Sequence, residues 1–196
     1  MLFLLKRTWP AGLISLLILC LIGLALRSLL GGGTELGFSP RAILLGLSVF
    51  TLVIVSDVTL HVLFCLLFGE RYRRRHRELA AVFQGQTYAA LLVGALMAGL
   101  GEELVFRGLG TNPLYLIGGG VVFGLLHHIR RSLWPFTIWA IWQGLLFAGA
   151  MYYTELLCVT MTAHFLHDLT GFLIFRYLNR PPPPPGYFSV SSFAPH

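Results

Sequence analysis

Apolar runs approaching membrane-spanning length recur along this chain, and they decide what it can become. Crossing a hydrocarbon core as a helix takes roughly 20 predominantly apolar residues. Such runs occupy Ala11–Leu26, Ala42–Phe68, Leu79–Leu109, Leu114–Ile129, Pro135–Tyr153 and Glu155–Leu178. Of the 196 residues only 11% are charged, where a soluble domain carries about 25%. That leaves too little polar surface to cover a water-exposed globule. The short alternating segments of a membrane barrel do not occur. The expected fold is all-α, a polytopic transmembrane bundle of about six spans.

Breakers mark the joints. Gly31–Thr34 reads as a loop, Pro40 sits where a helix starts, and Thr111-Asn112-Pro113 interrupts the third run. Pro181–Pro185 forces an extended spacer. Three regions follow: a two-helix N-terminal part over 1–78, a four-helix core over 79–178, and a proline-rich tail over 179–196. No internal repeat is visible.

The net charge is +6, and Lys6 is the only lysine. The bases sit at the ends of apolar runs, so lipid headgroups and topology account for them, and nucleic acid is not an expected partner. Lys6 and Arg7, the cluster Arg71–Arg77, Arg130-Arg131, and Arg176 with Arg180 fall on one side of a six-span arrangement. The positive-inside rule makes that side cytoplasmic, with both termini there and Arg71–Arg77 a solvated loop. Arg27 and Arg41 fall on the other side. Cys20, Cys65 and Cys158 lie within apolar runs without metal-type spacing and read as small hydrophobic residues. The wealth of arginine, leucine and glycine beside one lysine points to a GC-rich, bacterial genome and hence a plasma membrane.

Ionisable groups inside a bilayer are costly, so each needs a partner or a purpose. Three stretches carry them: Gly101-Glu102-Glu103-Leu104-Val105-Phe106-Arg107, Phe123-Gly124-Leu125-Leu126-His127-His128, and His164-Phe165-Leu166-His167-Asp168. Glu103 and Arg107 form an i, i+4 pair in the favourable order, which neutralises both. Adjacent helical residues point about 100° apart, so Glu102 has no such partner and is free for other work. His164 and Asp168 are also i, i+4, a carboxylate placed to orient an imidazole. His61, His128 and His167 read as satisfied core histidines, and Asp57 as the partner of Arg41 or of a histidine.

Counting from the non-cytoplasmic helix ends at about 1.5 Å per residue sets Glu102 roughly 12 Å deep, His127 roughly 20 Å and His164 roughly 13–15 Å. The three are expected around one water-accessible cavity, reached from the outer leaflet. A carboxylate and an imidazole in one buried site can activate water, and a second imidazole can donate to the carbonyl oxyanion. The same set could instead bind zinc, although the His-Glu-x-x-His spacing is missing. No serine or paired-aspartate motif appears. A scaffold that keeps the cluster for packing and a proton relay or transporter are the other readings, the latter weakened by the lack of inverted repeats.

In this order on successive helices, Glu102-Glu103-x-x-x-Arg107, Phe123-x-x-x-His127 and His164-x-x-x-Asp168 resemble the three motifs of the CPBP family. That family holds CAAX-prenyl endopeptidases and bacteriocin-processing or immunity proteins of Abi type. Gly144–Gly149 leading into Ala163-His164 is similar too, and the resemblance runs over about Leu79–Phe175. It implies an intramembrane endopeptidase acting on a peptide or membrane-anchored protein. Glu102 would be general base, His127 its partner on the water, and His164 with Asp168 would serve the oxyanion. Glu103, Arg107 and Phe123 would be supporting members. Asp168 replaces the commoner asparagine, and an ionised aspartate cannot donate, so its expected task is to orient His164. The resemblance implies a glutamate mechanism without metal or other cofactor.

Overall fold

The computed structural model describes residues 9–30, 33–83, 85–128 and 131–178. Lys6, Arg7, Gly31, Gly32, Arg130, Arg180 and the Pro181–Pro185 spacer lie outside them. Six helical elements follow in order: α1 (Trp9–Leu29), α2 (Pro40–Ala80), α3 (Tyr88–Phe106), α4 (Pro113–Leu126), α5 (Trp134–Thr154) and α6 (Leu157–Leu178). Among the described residues the sole β-type pairing is a parallel bridge between Glu35 and Leu156. The chain is an all-α membrane bundle. Five of the helices are long and apolar enough to cross a bilayer. The sixth, α4, has 14 residues, about 21 Å at 1.5 Å per residue, and falls short of a full span.

Two boundaries depart from the sequence expectation. The third helix begins at Tyr88, and Leu79–Ala80 close α2 instead. Gly85 has φ 78°, and Thr87 caps α3 by accepting from Ala90 N at 3.1 Å. These two residues break a stretch whose hydropathy alone looks continuous. The arginine cluster is helical, not a loop. It continues α2 beyond a kink at Gly69, whose φ of 54° is the left-handed conformation that glycine adopts without penalty. Glu70 there accepts from Arg73 at 2.9 Å and from Arg77 at 2.5 Å, and Arg75 donates to Glu78 at 2.8 Å.

The other joints follow their local chemistry. Asn112 caps α4 by accepting from Leu114 N at 2.9 Å and Tyr115 N at 3.3 Å, with Pro113 behind it. Pro135 sits in the first turn of α5. Helix α4 packs on α5 backbone to backbone. A Cβ on Gly144 would lie 2.3 Å from Gly120 O, and one on Gly124 would lie 2.4 Å from Ile141 Cα. Gly99 of α3 meets the Phe165 backbone of α6 in the same way. Helices in lipid gain little from apolar burial, so close approach of small residues is what holds them. These contacts bring the ends of α3 and α4 against α5 and α6, where the polar residues gather.

Arg27 and Thr34 tie the far end of the bundle. Arg27 Nη1 donates to Gly108 O at 2.7 Å, and Thr34 Oγ1 donates to Arg107 O at 3.3 Å. Arg27 thus serves carbonyls left over at the end of α3, the preferred place for a cation.

Candidate active site

Helix α3 changes character at its polar end. Met97–Glu102 is a π segment, and Glu103–Phe106 resumes as α-helix. Wider turns of this kind are found mostly at functional sites. Both glutamates are buried at this junction, Glu102 5% and Glu103 0% exposed, although they point to different sides of the helix.

Glu103 is engaged through Oε1, and its Oε2 is buried without a hydrogen-bond partner among the described residues. Arg107 Nη1 donates to its Oε1 at 2.8 Å, as the i, i+4 spacing predicts. The Arg107 guanidinium also reaches Gly144 O through Nη2 at 2.9 Å. It lies 4.9 Å from the centroid of the Phe123 ring and 5.8 Å from those of Phe106 and Phe147. Three aromatic faces and a carbonyl therefore surround a cation withdrawn from water. The buried Phe123 ring stands 4.4 Å from His127 and 5.6 Å from His164, so it links the second and third motifs.

His164 is held from another helix than expected. Its Nδ1 donates to Glu103 Oε1 at 2.8 Å. Asp168 Oδ1 lies 3.8 Å from its Nε2, beyond hydrogen-bond reach. Glu103, not Asp168, orients this ring. Asp168 instead accepts from His167 Nδ1 at 3.0 Å, and His167 Nε2 donates to Asp57 Oδ2 at 2.7 Å. Asp57 also accepts from Trp139 Nε1 at 2.7 Å and from Gln143 Nε2. Sequence reasoning left Asp57 and His167 in the background. The available signal was Asp57 itself, a carboxylate far from any helix end.

His127 ends α4 and its Nδ1 donates to Phe123 O at 2.7 Å, which leaves Nε2 as the acceptor nitrogen of a neutral ring. His61 pairs with Tyr72 Oη at 3.2 Å and His128 with Thr137 Oγ1 at 3.0 Å; both are hydrogen-bonded as expected, but His61 is half-buried and His128 exposed, so neither is a core histidine. Glu102 has no engagement comparable to that of Glu103 Oε1: among the described residues no cation or histidine binds it, and its Oε2, like Glu103 Oε2, is without a hydrogen-bond partner.

A cavity of about 370 Å³ is lined by His127, His164, His167, Asp168, Asp57 and Phe123. It extends past Phe136 and Phe172 to Tyr72, Arg75 and His76. It therefore reaches the arginine-bearing end of the bundle, opposite to the outer approach that depth counting predicts. Glu102 is buried off its lining. The shared depth of the three motifs brings His127 and His164 to this cavity, and the Glu102 carboxylate stays apart from it. Among the described residues no three histidine, cysteine or carboxylate side chains have the arrangement of a metal-ligand set.

Helices of spanning length, closed around a buried layer of carboxylates, imidazoles and one guanidinium, define an integral membrane protein with a polar intramembrane site. Residues 84–170 match the family model described as type II CAAX prenyl endopeptidase, Rce1-like. The match contains all three motifs, from Glu102 to Asp168. The family-model match thus coincides with the stretch from which the resemblance was read. No curated protein and no solved structure matches the chain.

Proposed function

We propose that this protein is an intramembrane endopeptidase that hydrolyses a peptide bond near the membrane anchor or C-terminal tail of a substrate protein, using water activated by Glu102 and His127. The observation that carries the reading is the unequal fate of two adjacent buried glutamates. Glu103 is held through Oε1 by both Arg107 and His164, while among the described residues neither an ion pair nor a hydrogen bond engages Glu102, and Oε2 of each glutamate is buried without a partner. A buried carboxylate with no cation beside it costs stability and is retained where it does work.

In this mechanism Glu102 takes a proton from a water that His127 Nε2 orients, and the resulting hydroxide attacks the scissile carbonyl. His164, anchored at Nδ1 by Glu103, turns Nε2–H to the oxyanion. Glu102 then passes its proton to the leaving amine as the C–N bond breaks. Asp168, close to Nε2, favours the imidazolium that donates. For Glu102 to share a water with His127 its side chain must swing to the cavity wall, and the π segment is where α3 is least tightly wound.

A non-catalytic scaffold or immunity-type protein is the second reading, favoured by the position of Glu102 off the cavity lining. Purified protein in liposomes, given reporters anchored by a transmembrane helix or a prenylated cysteine, separates the two. A protease cuts and its Glu102→Gln form does not, whereas a scaffold leaves every reporter whole in both forms.

No metal is assigned a role. Glu103 Oε1 and His164 Nδ1 bond to each other, and both His167 nitrogens bond to carboxylates, so these atoms are already committed. Exhaustive chelation is expected to leave kcat within about twofold, whereas disturbing even the outer shell of an essential metal costs about 10- to 100-fold. Stoichiometric zinc that restores a chelated enzyme would overturn this.

Charge supports an orientation with the arginine-bearing end in the cytoplasm, both termini there, and the protein in a bacterial plasma membrane. Peptide would then reach the cavity from the cytoplasmic end. In a cysteine-free background, Asn112→Cys is expected to react with an impermeant reagent on intact cells and Arg74→Cys only after permeabilisation. The reverse pattern would invert the topology.

A further inference from the structure

The polar cluster extends past the matched segment onto α2, which carries none of the motifs. We propose that Asp57 is a positioning residue for the hydrolysis assigned above, acting through His167 on Asp168 and His164, an inference that rests on that reading. Asp57 accepts from three side chains on two other helices: His167 on α6, and Trp139 and Gln143 on α5. A carboxylate within an apolar helix is expensive, and packing alone would be served by an amide. What a carboxylate adds is an anion facing His167 Nε2 at 2.7 Å while Asp168 Oδ1 faces Nδ1 at 3.0 Å. With an acceptor at each nitrogen, His167 donates twice as imidazolium, and its ring becomes a strut between two carboxylates.

The strut fixes the Asp168 oxygen that lies 3.8 Å from His164 Nε2. That gap matters, because Nε2 is the nitrogen that must face the substrate carbonyl. Without Asp57, His167 needs only one donor and its ring can turn. Asp168 is then released to close on Nε2 and occupy it. The cavity is lined by Asp57, His167, Asp168 and His164 together, so the strut stands in its wall beside the reacting atoms. Its hydrogen bonds run to other side chains of that wall, so its loss should act on turnover more than on affinity.

The experiment compares Asp57→Asn, His167→Gln and the double variant in the liposome assay, with thermal stability measured on each. Asp57→Asn is expected to lower kcat roughly tenfold to a hundredfold, the scale of a misplaced catalytic group, with KM within about twofold and the melting temperature near wild type. The double variant should be no slower than the worse single one, and Asp57→Glu should recover part of the rate. If Asp57→Asn does not fold, His167→Gln and Asp57→Glu carry the same readings. Wild-type kcat in the folded variants, or single losses that multiply in the double, would overturn the proposal. An active Glu102→Gln, or a wild type that cuts no reporter, would instead remove the peptidase reading and this inference with it. A dead Glu102→Gln beside a fully active Asp57→Asn would defeat the positioning role alone.

Discussion

Exchanging Glu102 for glutamine is expected to lower kcat by roughly 10²- to 10⁴-fold, the worth of a positioned general base, while the protein stays folded. Glutamine keeps the shape and the acceptor oxygen of glutamate and loses the ability to take a proton. Among the described residues Glu102 has no ion partner to abandon: Arg107 and His164 both bind Glu103. The same exchange at Glu103 would act differently, by releasing a buried guanidinium and the ring that it orients. Measured kcat and melting temperature together separate the cases. A Glu102→Gln enzyme that cuts at the wild-type rate would end the assignment, and so would one that is inactive only because it has unfolded.

Arg107→Ala is expected to destabilise by about 3–5 kcal/mol, the range for breaking one side of a buried ion pair. Arg107 and Glu103 are both fully buried. Truncation would strand the Glu103 charge and vacate the space between three aromatic rings. It would also leave the Gly144 carbonyl, at the tight α4–α5 crossing, without its donor. Lysine should recover little, because one ammonium lacks the planar fork that serves Glu103 and Gly144 together. Replacing Glu103 and Arg107 by leucine together should cost less than Arg107→Ala alone, since no charge is then stranded. Thermal unfolding in detergent reads all three. A melting temperature for Arg107→Ala within two degrees of wild type would contradict the account.

What the sequence made legible was local. Pro113 with Asn112, and Pro135, mark helix starts through backbone rules that need no tertiary context. Glu103 and Arg107 were paired correctly because four residues along a helix is a fixed distance. The same logic misassigned His164. Its i, i+4 neighbour Asp168 looked like its partner, yet Glu103, 61 positions earlier, holds the ring. Asp57 was expected beside Arg41 or a histidine, but that the histidine is His167, 110 positions later, could not be read, since a helical wheel carries no information about which helix stands opposite. Depth counting brought three motifs to one layer. It could not say which end of the bundle the cavity reaches, or that a π segment would bury Glu102 off its wall. Gly85 and Thr87 were overlooked as a boundary because the residues around them continue the apolar run.

The brevity of α4 bears on the bilayer itself. A helix of about 21 Å set against a hydrocarbon layer of about 30 Å leaves a mismatch that lipid must absorb by thinning around that flank. Because α4 ends at His127, the thinned lipid would border the side of the bundle where the cavity begins. An extended peptide has unpaired amide groups that hydrocarbon cannot satisfy. A locally shallow membrane would shorten the stretch over which such a peptide travels without water, so under the proposed peptidase reading a helix too short to span would lower the barrier to unfolding a substrate within the bilayer.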